Sequence, residues 1–586
     1  MCGFAVLAGD VAVKPTLDAM LGALDHRGPD GRGVWSSKDG RVLVGHNRLR
    51  IIDLDARSDQ PFVSEDGRFV LAFNGEIYNY LELRDRLRGL FDFRTESDTE
   101  VLLAAFSVWG KACLDELFGM FAFVIWDVQK RECFGARDRF GVKPLYFGTD
   151  TGQDFMAASE IKAFHAVGRC LDLNEKMWSR YLQGGVYEDG RETFWRGVER
   201  LEPGHAFVWR ASAGFSIFRW YSPDLTEDLR PEIEVAEELR AILIDAVRLR
   251  FRSDVEVGFL LSGGLDSSMV LSLASSAGVT THGLHSYTFF SQLADYDETA
   301  WAKPLAEQFG VEPHLIELRA IDIPTLATQM QGIQDEPFGG FPTIAVGQIQ
   351  SLARDSGVTV LLDGNGLDEA WAGYDYYQSP TTIDRTRAPV QAGGRGFRAG
   401  SLLVAEFAES GIGASPLDYS ADPLRNAQMN DLFHAKLPRA LRFSDRSSMA
   451  FSRELREPLL DHRLVELGLR QPASRKVAGG VGKWLVRKIA SDFLPHTNAL
   501  APKRAVQTPQ REWLSSDLED WTRDRIQQAT DSFGDNWFDV SSTLSELENF
   551  MSGKRDTSAH IWSLISLALT LDLRESRRFA ASGQLK

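Results

Sequence analysis

The pattern of hydrophobic and polar positions changes near residue 230. Before that point, short alternating runs are separated by turns rich in Gly and Asp, and they include RVLVGHNRLRIID, RFVLAFNGEIYNY, FAFVIWDVQ and RECFGARD. Short alternating runs bounded by such turns predict β-strands, whereas the spacing in DTEVLLAAFSVWG predicts a helix. The first part of the chain is therefore predicted to be an α+β domain dominated by antiparallel strands.

Beyond residue 230, helical segments alternate with compact apolar runs. Helical spacing occurs in EVAEELRAILIDAVRLRF, MVLSLASSAG and ETAWAKPLAEQFG. The compact apolar runs between or after these segments are VEVGFLL, HSYTFF, HLIEL and VTVLLDG. This alternation predicts a parallel sheet covered by helices, which binds ligands at the carboxyl ends of its strands. The rest of the chain has a mostly helical pattern. We predict one domain over 2–212, a linker over 213–230 and a second domain over 231–586.

Composition narrows the possible function classes. A chain of 586 residues is too long for one hydrophobic core. The formal net charge of −17 argues against a nucleic-acid partner, since phosphate binding needs a basic surface. No basic-then-apolar signal and no run of about 20 apolar residues is present, so no membrane partner is expected. We predict a soluble, cytoplasmic protein.

The cysteines do not predict a disulfide framework. Cys2, Cys113, Cys133 and Cys170 are widely separated, and no pair has C-x-x-C spacing. Neither a zinc site nor disulfide bonds are favoured by this spacing. Buried cysteine is the common fate of such residues, although Cys2 would carry a thiol beside a free α-amine if Met1 were removed.

SGGLDSS, at 262–268, follows the predicted strand VEVGFLL and opens a helix. Small residues let backbone N–H groups approach an anion, and a helix N-terminus adds partial positive charge. The segment therefore favours a phosphate or pyrophosphate site, although the chain has no G-x-x-x-x-G-K-[ST] loop. Asp266 within it could hold Mg²⁺ beside the phosphates.

A second acidic loop, DGNGLDEAWAGY, ends the later strand and contains Gly364, Gly366, Asp368 and Glu369. Taken alone it could equally be a solvated turn or a calcium-like loop. Because parallel strands end at the same edge of a sheet, two acidic loops there could chelate Mg²⁺ on a triphosphate from both sides.

Many ordered segments together resemble one family. In the first domain they are MCGF, HRGPD, HNRLRIID, FNGEIYN, SDTEV, RDRFGVKPLY and ASEIKA, and in the second LLSGGLDSS, DGNGLDEAWAGY, DRSSMAFSRELREPLLDH and GKWLVRK. Over its whole length the chain resembles the glutamine-hydrolysing (class B) asparagine synthetases or an asparagine-synthetase-like amidotransferase. The resemblance implies an N-terminal-nucleophile (Ntn) hydrolase glutaminase of antiparallel sheets and helices. It also implies a following α/β synthetase domain of the ATP-pyrophosphatase type, with ATP and Mg²⁺ as cofactors.

The resemblance also implies the residues of the glutaminase site. After removal of Met1, the α-amine of Cys2 would accept the thiol proton, so that one residue supplies both nucleophile and base. Asn74 and Gly75 would donate to the tetrahedral oxyanion. The residues implied for binding glutamine are Arg48 at the α-carboxylate, Glu76 and Asp98 at the α-ammonium, and Ile52 and Asn74 beside them.

In the second domain the implied ATP site is larger. It comprises Leu261, Ser262, Gly263, Gly264, Asp266, Ser267, Ser268, Asp363 and Gly364, with Asp266 and Asp368 as metal ligands. Lys483 matches a position near the α-phosphate, and Glu336 is expected to take a proton from the attacking ammonia. A reaction that passes ammonia between two sites favours a protected passage, so we expect an apolar interface between the domains.

The sequence departs from the family where the acceptor is chosen. Familiar asparagine synthetases have S-G-E-G or S-G-D-G where this chain has D-G-N-G. Their R-K-x-G-F segment is replaced by PKRAVQTPQREW, with Lys503, Arg504, Gln507 and Arg511. The implied reaction is glutamine-dependent amidation of a carboxylate through an acyl-adenylate, releasing AMP and pyrophosphate, with L-aspartate as the default acceptor.

Several alternatives remain open. The same chemistry could act on a uronic-acid sugar or a natural-product intermediate, or the chain could be an inactive, nucleotide-binding regulatory relative. A glucosamine-phosphate synthase or other glutaminase fusion is disfavoured, because the second domain carries the pyrophosphatase loop. The expected partners are small-molecule substrates, and a homodimer is possible.

Overall fold

The first part of the chain folds into two antiparallel sheets. The computed structural model describes residues 1–148, 154–378, 402–412, 417–501 and 508–584, and within these ranges each sheet has six strands. The strands are β1 (Gly3–Ala8), β2 (Gly31–Ser36), β3 (Val42–Arg48), β4 (Phe62–Val63), β5 (Phe69–Ile77), β6 (Gly119–Asp127), β7 (Glu132–Arg137), β8 (Tyr146–Gly148), β9 (Phe155–Ala158), β10 (Glu199–Arg200), β11 (His205–Arg210) and β12 (Gly214–Arg219). Their orders are β10-β8-β9-β1-β3-β2 and β12-β11-β7-β6-β5-β4.

Helices cover the outer faces of both sheets. They are α1 (Lys14–Gly22), α2 (Tyr80–Leu87), α3 (Asp98–Trp109), α4 (Cys113–Glu116), α5 (Lys162–His165) and α6 (Glu175–Gly184). Alternate residues of a strand point to opposite faces. Phe4 and Val6 of β1 accordingly pack between the sheets with Val70 of β5, while Leu7 packs under α1 against Leu21. This helix–sheet–sheet–helix arrangement confirms the predicted Ntn-hydrolase type of α+β domain.

The first domain extends further than its predicted boundary. Strand β12 lies inside the segment predicted as a linker, and it pairs with β11 along its whole length. Its short apolar run, GFSIF, completes the edge of the sheet. The irregular connection between the domains therefore lies at 220–231 rather than beginning at 213.

The second domain is built on a parallel sheet. Its strands are β13 (Val257–Leu260), β14 (His285–Phe290), β15 (Glu312–Glu317), β16 (Val360–Leu362) and β17 (Glu454–Arg456), in the order β15-β14-β13-β16-β17, and a small hairpin joins β18 (Val477–Ala478) to β19 (Val481–Gly482). All neighbouring pairs in the five-stranded sheet are parallel, which confirms the α/β prediction. The three-residue strand β17 was not predicted, because ELR is too short to show a pattern.

The remaining described elements are helical. They are α7 (Glu232–Arg250), α8 (Leu265–Ser276), α9 (Thr299–Gln308), α10 (Ile323–Gln334), α11 (Phe341–Asp355), α12 (Leu367–Ala370), α13 (Ala405–Ser410), α14 (Pro423–Phe433), α15 (Lys436–Met449), α16 (His462–Arg470), α17 (Ala473–Lys476), α18 (Trp484–Ala490), α19 (His496–Ala499), α20 (Gln510–Leu514), α21 (Glu519–Trp537), α22 (Val540–Met551) and α23 (Ser558–Gln584). Across the described ranges, none of the helices is both long and apolar enough to cross a bilayer.

The interface between the domains carries buried charges. Arg27 of the first domain is fully buried and donates to Glu160 and to Asp445 of α15, the latter at 2.9 Å. Arg446, the next residue, pairs with Glu160 at 3.1 Å. Lys143 donates to the carbonyl oxygen of Leu455 on β17 at 3.3 Å. The expectation of an apolar interface is therefore wrong for this contact region, where opposite charges from the two domains neutralise one another.

Candidate active site

Strands β1, β3 and β5 bring the first cluster of predicted residues together. Cys2 directly precedes β1 and is 7% exposed. Its backbone N–H donates to Oδ1 of Asn74 on β5 at 3.0 Å, and its Sγ lies 4.0 Å from the carbonyl oxygen of Leu49, just after β3. Removal of Met1 would turn that same nitrogen into an α-amine. Burial raises the pKa of the Cys2 thiol, so forming the thiolate requires a nearby base.

Asn74 and Gly75 have the features of oxyanion donors. Within the described part of the chain, the Nδ2 of Asn74 is buried and has no hydrogen-bond partner, although its Oδ1 is fixed by Cys2. A buried amide nitrogen without a partner is costly unless a ligand accepts from it. A Cβ at Gly75 would lie 2.1 Å from the carbonyl oxygen of Met120, so only glycine fits there.

Two buried carboxylates lie next to this cluster. Asp98 begins α3, and its Oδ2 accepts from the N–H of Ile77 at 2.9 Å. Burial raises the pKa of Asp98 to about 6. Burial and the neighbouring charges of Glu454 and Asp98 raise the pKa of Glu76 well above its usual value. In the part of the chain that the structure describes, Oε2 of Glu76 is buried without a hydrogen-bond partner, so this pocket suits a cation.

Arg48 is held rigidly beside the pocket. Its guanidinium donates to the carbonyl oxygens of Ile52, Asp53 and Asp55 and to Oδ1 of Asp59, at distances from 2.5 to 3.2 Å. The structure thus connects Arg48 and Ile52 directly, through the carbonyl oxygen of Ile52. Their predicted roles in binding glutamine stay predictions.

Met1 itself fills the space beside Cys2. The residue is 1% exposed, and its ammonium lies 3.2 Å from Oε2 of Glu454, which is fully buried on β17. Arg456 on the same strand donates to Glu454 at 2.6 Å and lies 3.6 Å from Glu76. Sequence reasoning missed Glu454 and Arg456 as neighbours of this site, since they lie in the other domain and in a strand too short to predict.

The second cluster lies at the carboxyl ends of β13 and β16. The loop from Leu261 to Gly264 leads from β13 into α8. Ser262 of this loop and Ser267 in the first turn of α8 are joined through their hydroxyls at 3.0 Å, and the N–H of Gly264 donates to Oγ of Ser262 at 3.3 Å. Ser268 is fully buried in the first turn of α8. This is the predicted turn, with N–H groups and hydroxyls around the N-terminus of a 12-residue helix.

Gly263 is required by two independent constraints. Its φ of +72° is a conformation that favours glycine, and a Cβ there would lie 2.5 Å from Cβ of Trp301. Its carbonyl oxygen accepts from Nδ2 of Asn498 at 3.2 Å. Sequence reasoning missed Asn498, which holds this loop from α19 and has no motif of its own.

Lys483 lies between the two acidic loops. Its ammonium contacts Oδ2 of Asp266, and it lies 2.6 Å from Oδ1 of Asp368. Burial alone would lower the pKa of Lys483, but the two carboxylates more than offset this effect and raise it. Considering only the described residues, Oδ1 of Asp266 is buried without a hydrogen-bond partner. The three predicted residues therefore form one cluster, although they are far apart in sequence.

Asp363 and Gly364 pack the second loop against the first. Oδ1 of Asp363 accepts from the N–H of Gly364 at 2.6 Å, and its Oδ2 accepts from Nδ2 of Asn365 at 2.5 Å. Burial raises the pKa of Asp363 to about 6. A Cβ at Gly364 would lie 2.9 Å from the backbone nitrogen of Ser267, so the two loops are in close contact.

Glu336 lies at the interface between the domains. It follows α10 and is fully buried, and its Oε1 accepts from the N–H of Phe194 at 3.1 Å and from Arg200 at 3.2 Å. Arg442 approaches its other oxygen at 3.8 Å. Two of these partners belong to the first domain and the third to α15, and the predicted role of Glu336 as a proton acceptor stays a prediction.

The charged residues expected near the acceptor are only partly described. Arg511 lies on α20 with its side chain 59% exposed, and its charged neighbours are Glu512 and Asp556. Lys503, Arg504 and Gln507 lie outside the described residues. The prediction that this segment binds an acidic acceptor therefore stays a prediction.

Comparison with known proteins gives matches over both domains. A family model described as a glutamine amidotransferase domain matches residues 1–221, and one described as asparagine synthase matches residues 238–573. Asparagine synthetase [glutamine-hydrolyzing] 1 of Bacillus subtilis is 28% identical over 99% of this chain and 98% of its own length. Asparagine synthetase [glutamine-hydrolyzing] 3 of the same organism is 28% identical over 83% of each chain. Amidase chry2 of Gibberella zeae is 32% identical over 64% of this chain and 58% of its own.

Proposed function

This chain belongs to the asparagine synthetase family, and from that premise we propose that it makes L-asparagine from L-aspartate, glutamine and ATP. The chain is a glutamine-hydrolysing ligase that carries out glutamine-dependent amidation. The observation that carries the proposal is the pairing, in one chain, of a Cys2–Asn74 cluster with a cluster of Lys483 between two carboxylates. The first cluster suits release of ammonia, and the second suits activation of a carboxylate by a nucleotide.

In the proposed glutaminase step, Cys2 acts as both base and nucleophile once Met1 has been removed. Its α-amine accepts the thiol proton, and the thiolate attacks the side-chain amide carbon of glutamine. Nδ2 of Asn74 and the N–H of Gly75 donate to the oxyanion that forms. The leaving nitrogen takes a proton and departs as ammonia, and water then hydrolyses the thioester to glutamate.

We propose that glutamine binds in the acidic pocket that Met1 fills in the unprocessed chain. A primary ammonium already lies there, 3.2 Å from Glu454. The α-ammonium of glutamine would face Glu76 and Asp98, whose buried carboxylates favour a cation once they are ionised. Arg48, with Ile52 holding its guanidinium, would face the α-carboxylate.

We propose that ATP binds at the loop after β13 and the first turn of α8, with Asp363 and Gly364 packed beside them. The proposed residues are Leu261, Ser262, Gly263, Gly264, Ser267 and Ser268. Asp266 and Asp368 fit a divalent cation, because their hard oxygen ligands suit Mg²⁺ and Oδ1 of Asp266 lacks a hydrogen-bond partner among the described residues. Bound Mg²⁺ would neutralise phosphate charge at this position. Lys483 would then turn from the carboxylates to the α-phosphate.

The proposed synthetase step uses the nucleotide to create a leaving group. An oxygen of the acceptor carboxylate attacks the α-phosphorus, and pyrophosphate departs, leaving an acyl-adenylate. Ammonia then attacks the acyl carbon, and AMP leaves with that oxygen. The positive charge of Lys483 stabilises the charge that develops at the α-phosphate. Glu336 stays a predicted proton acceptor for the attacking ammonia.

A different acceptor carboxylate is the second candidate. The chain is 32% identical to amidase chry2 over 64% of its length, so synthetase-like sequence also occurs in a protein that is named an amidase. Asn365 in the D-G-N-G loop and the PKRAVQTPQREW segment are the departures that favour this alternative. A uronic-acid sugar and natural-product carboxylic acids belong to this second class. The homodimer and the cytoplasmic location stay predictions from the sequence.

The deciding experiment is a panel of acceptors assayed for glutamine-dependent pyrophosphate release. L-Aspartate, a hexuronic acid and a set of aromatic and aliphatic carboxylic acids would be supplied separately, and AMP would be quantified beside pyrophosphate. Activity that is largest with L-aspartate supports the proposal. Activity with a uronic acid and none with aspartate would replace it by the second candidate, and ADP with phosphate would exclude the acyl-adenylate.

A further inference from the structure

A cluster of two histidines and a glutamate lies near the amino ends of two strands of the parallel sheet. The nucleotide loops lie at the opposite, carboxyl ends of the strands. His285 begins β14 and Glu312 begins β15, and they are direct neighbours in the register of the two strands. His314 follows two residues later on β15, so it shares the face of the sheet with Glu312. The nucleotide loops follow the carboxyl ends of β13 and β16. A six-residue strand spans about 20 Å, so the cluster is remote from them.

The side chains of this cluster converge. Nδ1 of His285 lies 2.8 Å from Nε2 of His314, and each of these nitrogens lies 3.8 Å from an oxygen of Glu312. When one ligand atom is taken from each residue, the three atoms all lie within 4.8 Å of one another. Both imidazoles are about one-fifth exposed, at 18% and 21%, so solvent and ions reach them.

A second carboxylate orients the first imidazole. Oε1 of Glu256, just before β13, lies 3.1 Å from Nε2 of His285. When Nε2–H of His285 donates to Glu256, Nδ1 keeps its lone pair and faces His314 and Glu312. A carboxylate that accepts from the outer nitrogen of a histidine is the usual support of a metal-ligating imidazole.

We propose that His285, Glu312 and His314 bind a divalent transition-metal cation of the Zn²⁺ class, with Glu256 as the supporting carboxylate. Two imidazole nitrogens and one carboxylate oxygen, completed by water, form a ligand set typical of zinc. Mg²⁺ prefers oxygen ligands, so it would select the carboxylates of the nucleotide site instead. Neither the glutaminase step nor the synthetase step proposed above uses this site.

The protonation states of the cluster allow the metal to enter. The neutral imidazole is the form that ligates a metal ion. When Nε2 of His285 carries the proton and no metal is bound, Nε2–H of His314 is the donor to Nδ1 of His285. A shift of that proton to Nδ1 of His314 frees its Nε2, so both rings can bind the cation without losing a proton.

The test measures zinc retained by the purified full-length chain. Equilibrium dialysis against Zn²⁺ would be run with excess Mg²⁺ and without ATP, so that Mg²⁺ occupies the Asp266 and Asp368 carboxylates. We expect one retained zinc in the parent chain and at least a tenfold weaker affinity in His285→Gln and His314→Gln. Glu256→Gln should weaken zinc binding by about 10- to 100-fold, as is typical when such a supporting partner is removed.

His282→Gln is the matched control, because His282 is an exposed histidine three residues before His285 and has no part in the cluster. It should retain zinc like the parent chain. A parent chain that retains no zinc overturns the proposal, whatever the variants do. Retention that is equal in the parent chain and His314→Gln also overturns it. Zinc should raise the melting temperature of the parent chain and of His282→Gln, but not that of His314→Gln.

Discussion

Replacing Lys483 by methionine isolates the proposed role of its positive charge. The ammonium contacts Asp266 and lies 2.6 Å from Asp368, and its side chain is only 4% exposed. Methionine keeps a similar length and apolar stem but removes the charge. The variant therefore leaves two neighbouring carboxylates facing each other and removes the group proposed to turn to the α-phosphate.

The size of each effect follows from this geometry. Because both carboxylates contact one ammonium, their nearest oxygens lie within about 5 Å of each other, and unit charges at that limit repel by about 3 kcal/mol at an effective dielectric constant of 20. We expect the ligand-free variant to be destabilised by about that amount, with Mg²⁺ restoring much of the loss by replacing the missing charge. Removing one preorganised group that stabilises developing charge slows catalysis by about 10²- to 10³-fold. Glutamine-dependent pyrophosphate release should fall within that range.

The assay separates the two sites of the chain. Glutamate formation from glutamine and pyrophosphate release would be measured on the same preparations, and thermal unfolding would be followed over a Mg²⁺ titration. Lys488→Met is the matched control, because Lys488 lies on α18, the helix that Lys483 directly precedes, with its side chain 64% exposed in a surface pair with Glu232. It should leave both activities unchanged, since exposed ion pairs contribute little.

Two results would refute this reasoning. Full pyrophosphate release by Lys483→Met would show that the buried lysine does not act on the nucleotide. Equal loss of glutaminase activity and pyrophosphate release would show that the variant damages the whole molecule, and the two sites could not then be treated as separate. A Mg²⁺-induced rise in melting temperature no larger than that of the parent chain would contradict the proposed metal position.

Three further predictions concern the glutaminase site. Cys2→Ala should abolish glutamine-dependent pyrophosphate release but keep the ammonia-dependent reaction, and loss of both would contradict the two-site scheme. Because burial raises the pKa of Asp98 to about 6, its carboxylate becomes protonated as the pH falls through that value. The KM for glutamine should therefore rise below pH 6, and Asp98→Asn should have a high KM that no longer follows this titration. A chain that keeps Met1, or carries a tag before it, should lose glutamine-dependent activity, because Met1 fills the proposed glutamine pocket. Full activity of a chain shown by mass spectrometry to contain Met1 would contradict the proposed pocket.

The sequence predicts the sites best where chemistry is concentrated in short motifs. The loop around Gly263 and Asp266 is predicted because small residues and a carboxylate stand between an apolar run and a helical segment. The structure places this loop at the end of β13. The neighbourhood of Cys2 and Asn74 follows from the resemblance, and the 3.0 Å contact agrees with it. The loop depends on residues that are neighbours in the sequence. The contact between Cys2 and Asn74 follows from the family resemblance, which many segments of the chain share.

Contacts between distant segments were harder to predict. Glu454 lies beside Met1 only because a three-residue strand, β17, adds to the far edge of the sheet. Asn498 holds the loop around Gly263 from a four-residue helix, α19, whose sequence shows no special pattern. Periodicity describes the face that an element buries, but it contains no information about which distant charge meets that face. The buried ions of the domain interface were missed for the same reason.

Those buried ions limit how freely the two halves can be exchanged between relatives. Arg27 in one half and Asp445 in the other neutralise each other where neither side chain reaches water. Breaking a buried pair by removing one partner typically costs about 3 to 5 kcal/mol, because the remaining charge stays out of water. A chimera that joins this glutaminase half to a foreign synthetase half is destabilised by about that amount wherever the foreign half lacks the partner of a buried charge. The two halves are thus a co-adapted pair, and engineering a new acceptor specificity is best done by changing loops within the second half.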